Sequence, residues 1–514
     1  KLTEERTENG KTKEVQYGIE YTLELKEIEF NDVNQIKVKI QSGSVIDNSG
    51  NGNKDTEMLF YNVLKPTYTG TYENQESSPT APFLGNTSIQ RQNIENVTFE
   101  RSVPSTVYNA TTGQYVNSTA WDVSAQQDKS IIAWYETSNS NGALKVHIGS
   151  NDEIFGNHDS TDLFAYVGYS SICTSTETIT NINLLNVSCV TNMLRMFRST
   201  GNYAMNKLDL GDNFDTSNVY NMIGMFDGTG YNSMTTFNLG SNFNTRKVDN
   251  MGWMFLNCGY NKLISLNLGS KFDTGNVTDM SYMFLNTGLN SMTTLNLGTN
   301  FDTSKVTTMK WMFFDTGYRA MTSLELGDKF DTSSVTDMHG MFRDTGYAAM
   351  TSLDLGKKFD TSNVTNMLKM FDHCGYTAMT SLDLGDLFYT KNVKDMYKMF
   401  YYCGGTAMTT LDLGAAFTKI PYEKITKQTS DYEDWEDDND KPTNYNAYDG
   451  FAEGCGTEGL IIYAPESIYA NNGEFYVKEE PDNTYIPAGF SKVAGTNLDN
   501  GYTIQDSKGN QYVW

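Results

Sequence analysis

A period of 29 residues governs the middle of this chain. A Met-Phe pair places phenylalanine at positions 197, 226, 255, 284, 313, 342, 371 and 400. The glycine closing a Leu-x-Leu-Gly motif falls at 211, 240, 269, 298, 327, 356, 385 and 414. Eight copies with no insertion require every unit to meet its neighbours in the same way, which only a stack of rungs satisfies. The unit length lies at the upper end of the leucine-rich-repeat range.

One unit, Ser352 to Phe371, shows what a rung is expected to contain. Leu353 and Leu355 flank Asp354, so two side chains face inward and one outward, as in a strand. Gly356 and Asp360-Thr361-Ser362-Asn363 supply turn residues and candidate helix N-caps. Val364, Met367, Met370 and Phe371 stand at i, i+3, i+6 and i+7, which predicts one face of a short helix. Gly375, four residues after Phe371, would end it. The expected fold class is an α/β solenoid: a leucine-rich-repeat-like array of short strands and short helices, strands on its concave side, joined to an all-β N-terminal module. Of the 24 methionines, all but Met58 fall in the repeats. Met-x-x-Met could offer soft thioether ligands to copper, but these side chains keep phase with Val and Phe and read as core filling.

Six segments are expected. Residues 1–66 alternate apolar and polar, as in Ile36-Lys37-Val38-Lys39-Ile40, and read as an all-β module of half-buried antiparallel strands. Residues 67–95 are a linker carrying Pro79 and Pro82. Residues 96–185, with Trp121 and Trp134, read as the solenoid's N-terminal cap, and 186–417 hold the eight repeats. Residues 418–490 read as a degenerate last repeat and C-terminal cap with an acidic loop, and 491–514 as the start of a further β module. The chain is thus expected to be a mature or excised piece, with further modules of the same polypeptide at both ends.

The chain carries 38 Lys and Arg against 63 Asp and Glu, a net charge of -25. That charge repels phosphate backbones and argues against nucleic acid. No run of 18 or more apolar residues appears, so direct membrane insertion is not expected. The six cysteines include no C-x-x-C pair. Cys258, Cys374 and Cys403 share one phase, so Cys374 and Cys403 should occupy adjacent rungs, read as buried thiols with a cross-rung disulfide as the alternative. His147, His158, His339 and His373 show no spacing that marks a triad or zinc site. No enzyme is expected.

The recurrent Phe-Asp-Thr-Ser-Asn-Val-Thr-x-Met-x-x-Met-Phe of Phe359 to Phe371, followed by Leu-x-Leu, resembles the BspA-like leucine-rich repeat of bacterial surface proteins. Trp121-Asp122-Val123-Ser124 with Ala133-Trp134 and Leu163-Phe164 resembles the region preceding such repeats. Val45-Ile46-Asp47-Asn48-Ser49-Gly50-Asn51 resembles a turn of bacterial immunoglobulin-like modules, which implies that residues 1–66 are a partial immunoglobulin-like β module. The extra Gly346-Tyr347-Ala348-Ala349-Met350 type of segment lengthens each rung beyond that family's usual one and leaves curvature open. The resemblance implies an extracellular protein, at the bacterial cell surface or secreted, of the adhesin or host-interaction kind, and it carries over no catalytic motif.

The candidate binding residues are the outward column between the paired leucines, Asn238, Asn267, Asn296, Glu325, Asp354, Asp383 and Asp412, with the hydroxyls of Ser323, Ser352 and Ser381 two positions before. On a concave face these would form polar ladders spaced about 4.8 Å. Consecutive carboxylates at that spacing repel unless a cation or basic partner neutralises them. The partners expected are a host or neighbouring-cell protein, or a glycan. A passive solvated face, in a structural spacer or coat element, is the alternative. Asp434, Glu436, Asp437 and Asp438 in the acidic run are candidate Ca²⁺ ligands, against a solvated loop; no other cofactor is expected.

Overall fold

The rung that begins at Ser352 shows how the chain turns. Ser352–Asp354 is a three-residue strand whose middle leucine is buried and whose outer residues are exposed, and the same pattern holds for Thr236–Asn238 and Ser381–Asp383. The strands run parallel and in register: Ser323 faces Ser352, Leu324 faces Leu353 and Glu325 faces Asp354. In this computed structural model the described residues are 82–421 and 444–457, with 63–65, 424–426 and 460–463, and the backbone of strands at 2–8, 11–18, 36–40, 56–60, 490–498, 501–506 and 511–513.

The Met-x-x-Met-Phe segments are not helical, which overturns the expected strand-and-helix α/β solenoid. Among the described residues there is no α-helix, and the helical pieces are two 3-10 turns, Arg91–Asn93 and Ile182–Leu184. In place of a helix each rung makes a run of tight turns. Met338, Gly340, Phe342 and Asp344 donate their N–H groups to Asn366, Leu368, Met370 and Asp372 of the next rung at 2.8–3.0 Å. The intervening Met341, Arg343 and Thr345 donate to the carbonyls three residues back. Alternation of this kind needs a left-handed residue every fourth position: Trp311 (φ 58°) and Asp315 (φ 57°), or Lys369 (φ 53°) and His373 (φ 55°). A four-residue turn and a 3.6-residue helix place apolar side chains alike over so short a stretch. Eight residues are also too few to propagate a helix by themselves, whereas each bond to the next rung adds about 1 kcal/mol net. With no wide helix behind the narrow strands, the argument for a concave strand side falls with it.

Rings stack through the core. Phe164, Phe197, Phe226, Phe255, Phe284, Phe313, Phe342, Phe371 and Phe400 form one ladder with centroids 5.3–5.5 Å apart. A second runs from Phe243 to Phe417 at 6.1–6.3 Å. The repeat methionines and valines pack between them without exposure. Two columns of buried polar side chains clamp the rungs. Thr216, Thr245, Thr274, Thr303, Thr332 and Thr361 each donate a hydroxyl to a carbonyl of the following rung at 2.7–2.8 Å. Thr229, Thr287, Thr316 and Thr345 donate backwards, to Phe197, Phe255, Phe284 and Phe313. Cys258, Cys374 and Cys403 take the place of threonine in this second column. All six cysteines are free and buried.

The stack extends one rung beyond the eight at each end. Before them, Asp162, Phe164 and Tyr166 donate to Leu194, Met196 and Arg198. Beyond them, Met396, Lys398 and Phe400 donate to Ala447, Asp449 and Phe451, and Ile461–Tyr463 pairs parallel with Thr410–Asp412. Phe451 meets Phe400 edge-on at 89°, ending the flat ladder. The N-terminal cap is a five-stranded mixed sheet in the order Trp121–Asp122, Ile132–Thr137, Leu144–Gly149, Ile94–Glu100, Ile179–Thr180. Nearer the N-terminus, Leu2–Glu8 pairs antiparallel with Lys11–Gly18, and Ile36–Ile40 with Thr56–Phe60; the turn Val45 to Asn51 lies outside the described residues.

The strands pair in twos. Leu210, Leu268, Leu326 and Leu384 donate to the following rung, and the ladders join Lys207–Asp209 to Thr236–Asn238 and Ser265–Asn267 to Thr294–Asn296. Within such a pair the second closing glycine presses on the first: a Cβ at Gly298 would lie 2.5 Å from the Gly269 carbonyl oxygen, whereas one at Gly269 would meet nothing within 4 Å. Both have φ 79°. Gly269→Ala therefore adds only the cost of a left-handed alanine, roughly 1 kcal/mol, and Gly298→Ala adds a backbone clash. Thermal unfolding is expected to show the Gly298 variant less stable than the Gly269 variant by at least about 1 kcal/mol.

Candidate functional site

The outward column lies where the strand pattern places it, on one solvent-facing side. Asn238, Asn267, Asn296, Glu325, Asp354 and Asp383 are exposed, and Asp209 and Asp412 at the ends are half-buried. Ser323, Ser352 and Ser381 are exposed in the neighbouring column. Before them Thr293, Thr322, Thr351 and Thr380 add a third polar column, also exposed. The face is neutral at Asn238, Asn267 and Asn296 and acidic from Glu325 to Asp412.

The column residues also serve the fold. Oδ1 of Asn238, Asn267, Asn296, Asp354, Asp383 and Asp412 accepts the N–H of the closing glycine two residues on, at 2.8–3.1 Å. This is an Asx turn, and it holds the left-handed glycine in place. Glu325, one methylene longer, is the exception. At the first rung Asn238 also donates to Asp209 at 2.9 Å, and Lys207 pairs with Asp209 at 2.7 Å. Burial would push the Asp209 carboxyl up, but Lys207, the Gly211 N–H and Asn238 outweigh it and hold it below its ordinary value. Asp412 goes the other way: burial raises it, and Asp383 and Asp386 add to the rise against the Gly414 N–H. The acidic half of the face is therefore poorly neutralised at its C-terminal end.

The structure brings no two histidines together. His147 lies 2.9 Å from Glu100 and stacks on Trp134, His373 lies 2.6 Å from Asp372 among tyrosines, and His339 packs against Trp311. Among the described residues no group of three or more His, Cys, Asp or Glu is placed to hold a metal ion, and no helix is long and apolar enough to cross a membrane. Asp434, Glu436, Asp437 and Asp438 lie outside the described residues. An open cleft of about 420 Å³ at the cap is lined by Glu100, Arg101, Asp152, Glu153 and asparagines. Burial pushes the thiols of Cys173 and Cys189 up to about 12, so neither is a nucleophile at neutral pH.

Sequence reasoning missed a set of carboxylates on the turn side, one and two residues after the ladder phenylalanines. Burial raises Asp227 to about 6 against the opposing Arg198, whose Nε lies 3.2 Å away. Burial together with Asp344 pushes Asp315 up to about 8. Burial raises Asp344 to about 6, Arg343 opposing and Asp372 adding. The signal available in the sequence was, for Asp315 and Asp344, an acid in a column otherwise filled by Ser, Gly, Asn, His and Tyr, and, for Asp227, an acid in a column held mostly by Arg, Leu, Phe and Tyr; both are weak.

A stack of identical hydrogen-bonded rungs makes this a repeat protein. Its tandem units match the family model described as "Mycoplasma protein of unknown function, DUF285" over residues 169–288, 231–319, 258–347 and 317–410. No curated protein and no solved structure matches the chain.

Because Oδ1 of Asp354 closes a turn, alanine is a poor probe of binding there. Asp354→Ala is expected to cost about 1 kcal/mol, while Asp354→Asn keeps the acceptor, removes the charge and leaves stability within about 0.5 kcal/mol; chemical denaturation of both variants checks this.

Proposed function

We propose that this is a bacterial cell-surface or secreted interaction protein of the adhesin kind, with a BspA-like repeat array carried between further modules, which presents its polar strand face to a protein or glycan ligand. The observation that carries the reading is the set of three exposed polar columns on that face, hydroxyl, hydroxyl and carboxylate or amide, continuous from Thr293-Thr294-Asn296 to Thr380-Ser381-Asp383. Rigid rungs hold these side chains at fixed spacing, so a ligand with repeated hydroxyl or amine groups meets a preorganised surface and orders little on binding. The acidic half, from Glu325 to Asp412, favours amino sugars, basic peptide segments or hydroxyl-rich chains bridged by Ca²⁺.

A second reading, a structural spacer or coat element with no ligand of its own, draws on the Asx turns: six of the column residues already have a partner in their own backbone. The two part on one experiment. Asp354→Asn, Asp383→Asn and Asp412→Asn combined are expected to weaken capture on an array of glycans and basic host proteins at least tenfold, about 1.4 kcal/mol, with thermal stability kept. Unchanged capture leaves the spacer. If EDTA moves neither the melting temperature nor capture, Ca²⁺ has no part in it.

A further inference from the structure

The turn side carries a side-chain ladder of its own. The residue two positions after each phenylalanine is Asn257, Asn286, Asp315, Asp344 and His373 in successive rungs, all left-handed at φ 55–57°. Their N–H groups bond in turn to Leu285, Phe314, Arg343, Asp372 and Tyr401 of the following rung at 2.7–3.0 Å, which keeps the five in register. Asn286 Nδ2 donates to Asn257 Oδ1 at 2.9 Å. An amide that directs Nδ2 to the preceding rung turns Oδ1 toward the following one, where Asp315 stands. That Oδ1 is buried and has no donor. An ionised Asp315 offers none, and would set acceptor against acceptor; a neutral carboxylic acid has an O–H to give.

We propose that Asp315 is held as the neutral acid and donates its O–H to Asn286 Oδ1, extending the ladder by one rung, and that loss of this proton loosens the middle of the solenoid as the surroundings turn alkaline. Burial and Asp344 outweigh the one opposing charge around Asp315, that of Arg343. Arg343 opposes the rise at Asp315, but its Nε lies 3.3 Å from Asp344 and 3.4 Å from Asp372, so its charge is shared among three carboxylates. His373 is bonded to Asp372 at 2.6 Å. Tyr318, Tyr347 and Arg319 line the adjoining segment, and burial first, then Asp344, raises the Tyr318 phenol. Burial and the Asp344 charge make ionisation of Asp315 unfavourable.

The sign follows from linkage. In the unfolded chain an aspartate loses its proton near pH 3.9. In the folded chain Asp315 keeps it to about 8. Between these values the folded form binds one proton more, so the stability that Asp315 contributes is full below pH 4 and is lost as pH rises to about 8.

Asp315→Asn keeps shape and donor and has no proton to lose. The melting temperatures of the wild type and this variant are expected to agree within about 1 °C at pH 4 and to separate with pH until the variant leads by about 4 °C at pH 9. A gap that does not change with pH overturns the proposal. So does a ¹³C NMR titration of the wild-type Asp315 carboxyl with a midpoint near 4, where one above 6 is expected. The donation itself is read from a cycle of Asp315→Leu, Asn286→Leu and the double variant at pH 5, in which the strain of a left-handed leucine cancels. The two single losses in melting temperature are expected to sum to several degrees more than the double loss; additive losses overturn the bond to Asn286.

Discussion

Everything in this molecule depends on hydrogen bonds that leave the rung in which they begin. Within a helix the backbone is satisfied locally, and neighbouring units touch only through side chains. Here every second N–H of the turn segment reaches the next rung, as Met338, Gly340, Phe342 and Asp344 do. A single rung cannot exist alone, because half of its donors would lack partners. The left-handed backbone at Trp253, Tyr282 and Trp311 is the cost of that arrangement. Bulky residues rarely adopt it, and stacking of Trp253 on Tyr282 with centroids 5.7 Å apart helps to offset it.

The core follows from the same bonds. Successive rungs held at one spacing bring equivalent rings face to face, and Phe255 lies only 2° from coplanar orientation with Phe284. The methionines between them are unbranched and adapt to what the rings leave. Where threonine gives way to cysteine, at Cys258, Cys374 and Cys403, the column keeps its volume and loses a clamp to a carbonyl. The rungs tolerate this because the first threonine column, Thr216 to Thr361, remains intact.

Much of this was legible in the residues. A 29-residue period with no slippage dictates a stack, and Leu353-Asp354-Leu355 dictates which side chains are wetted. The turn spiral was not legible, because the left-handed positions carry Trp, Tyr, Lys and Arg as well as Gly and Asn, and their backbone is set by bonds to another rung and not by local preference. Val364, Met367 and Phe371 satisfy both periods. The polar columns lie exposed where the strand pattern places them, but the pattern of alternation reads them as recognition groups or as a solvated face, and not as turn closers. The spacing of Asp354 and Gly356, an Asx residue two before a glycine, is itself a turn signature, and it explains the column without any ligand. The carboxylates at Asp315 and Asp344 were hidden because burial of the turn side follows from a fold the sequence pattern had assigned to helices.

The edge-on ring at Phe451 has a consequence for growth. A ladder of parallel rings and open backbone is a template onto which another copy could add, the route by which repetitive β structures become fibres. Phe451, buried and turned 89° from Phe400, breaks the flat ladder, and the strand of the same rung pairs antiparallel with Phe490 through Ile462. The polymer-like interior of this chain thus ends where the ring stacking and the parallel strand order both change direction, at Phe451 and Ile462.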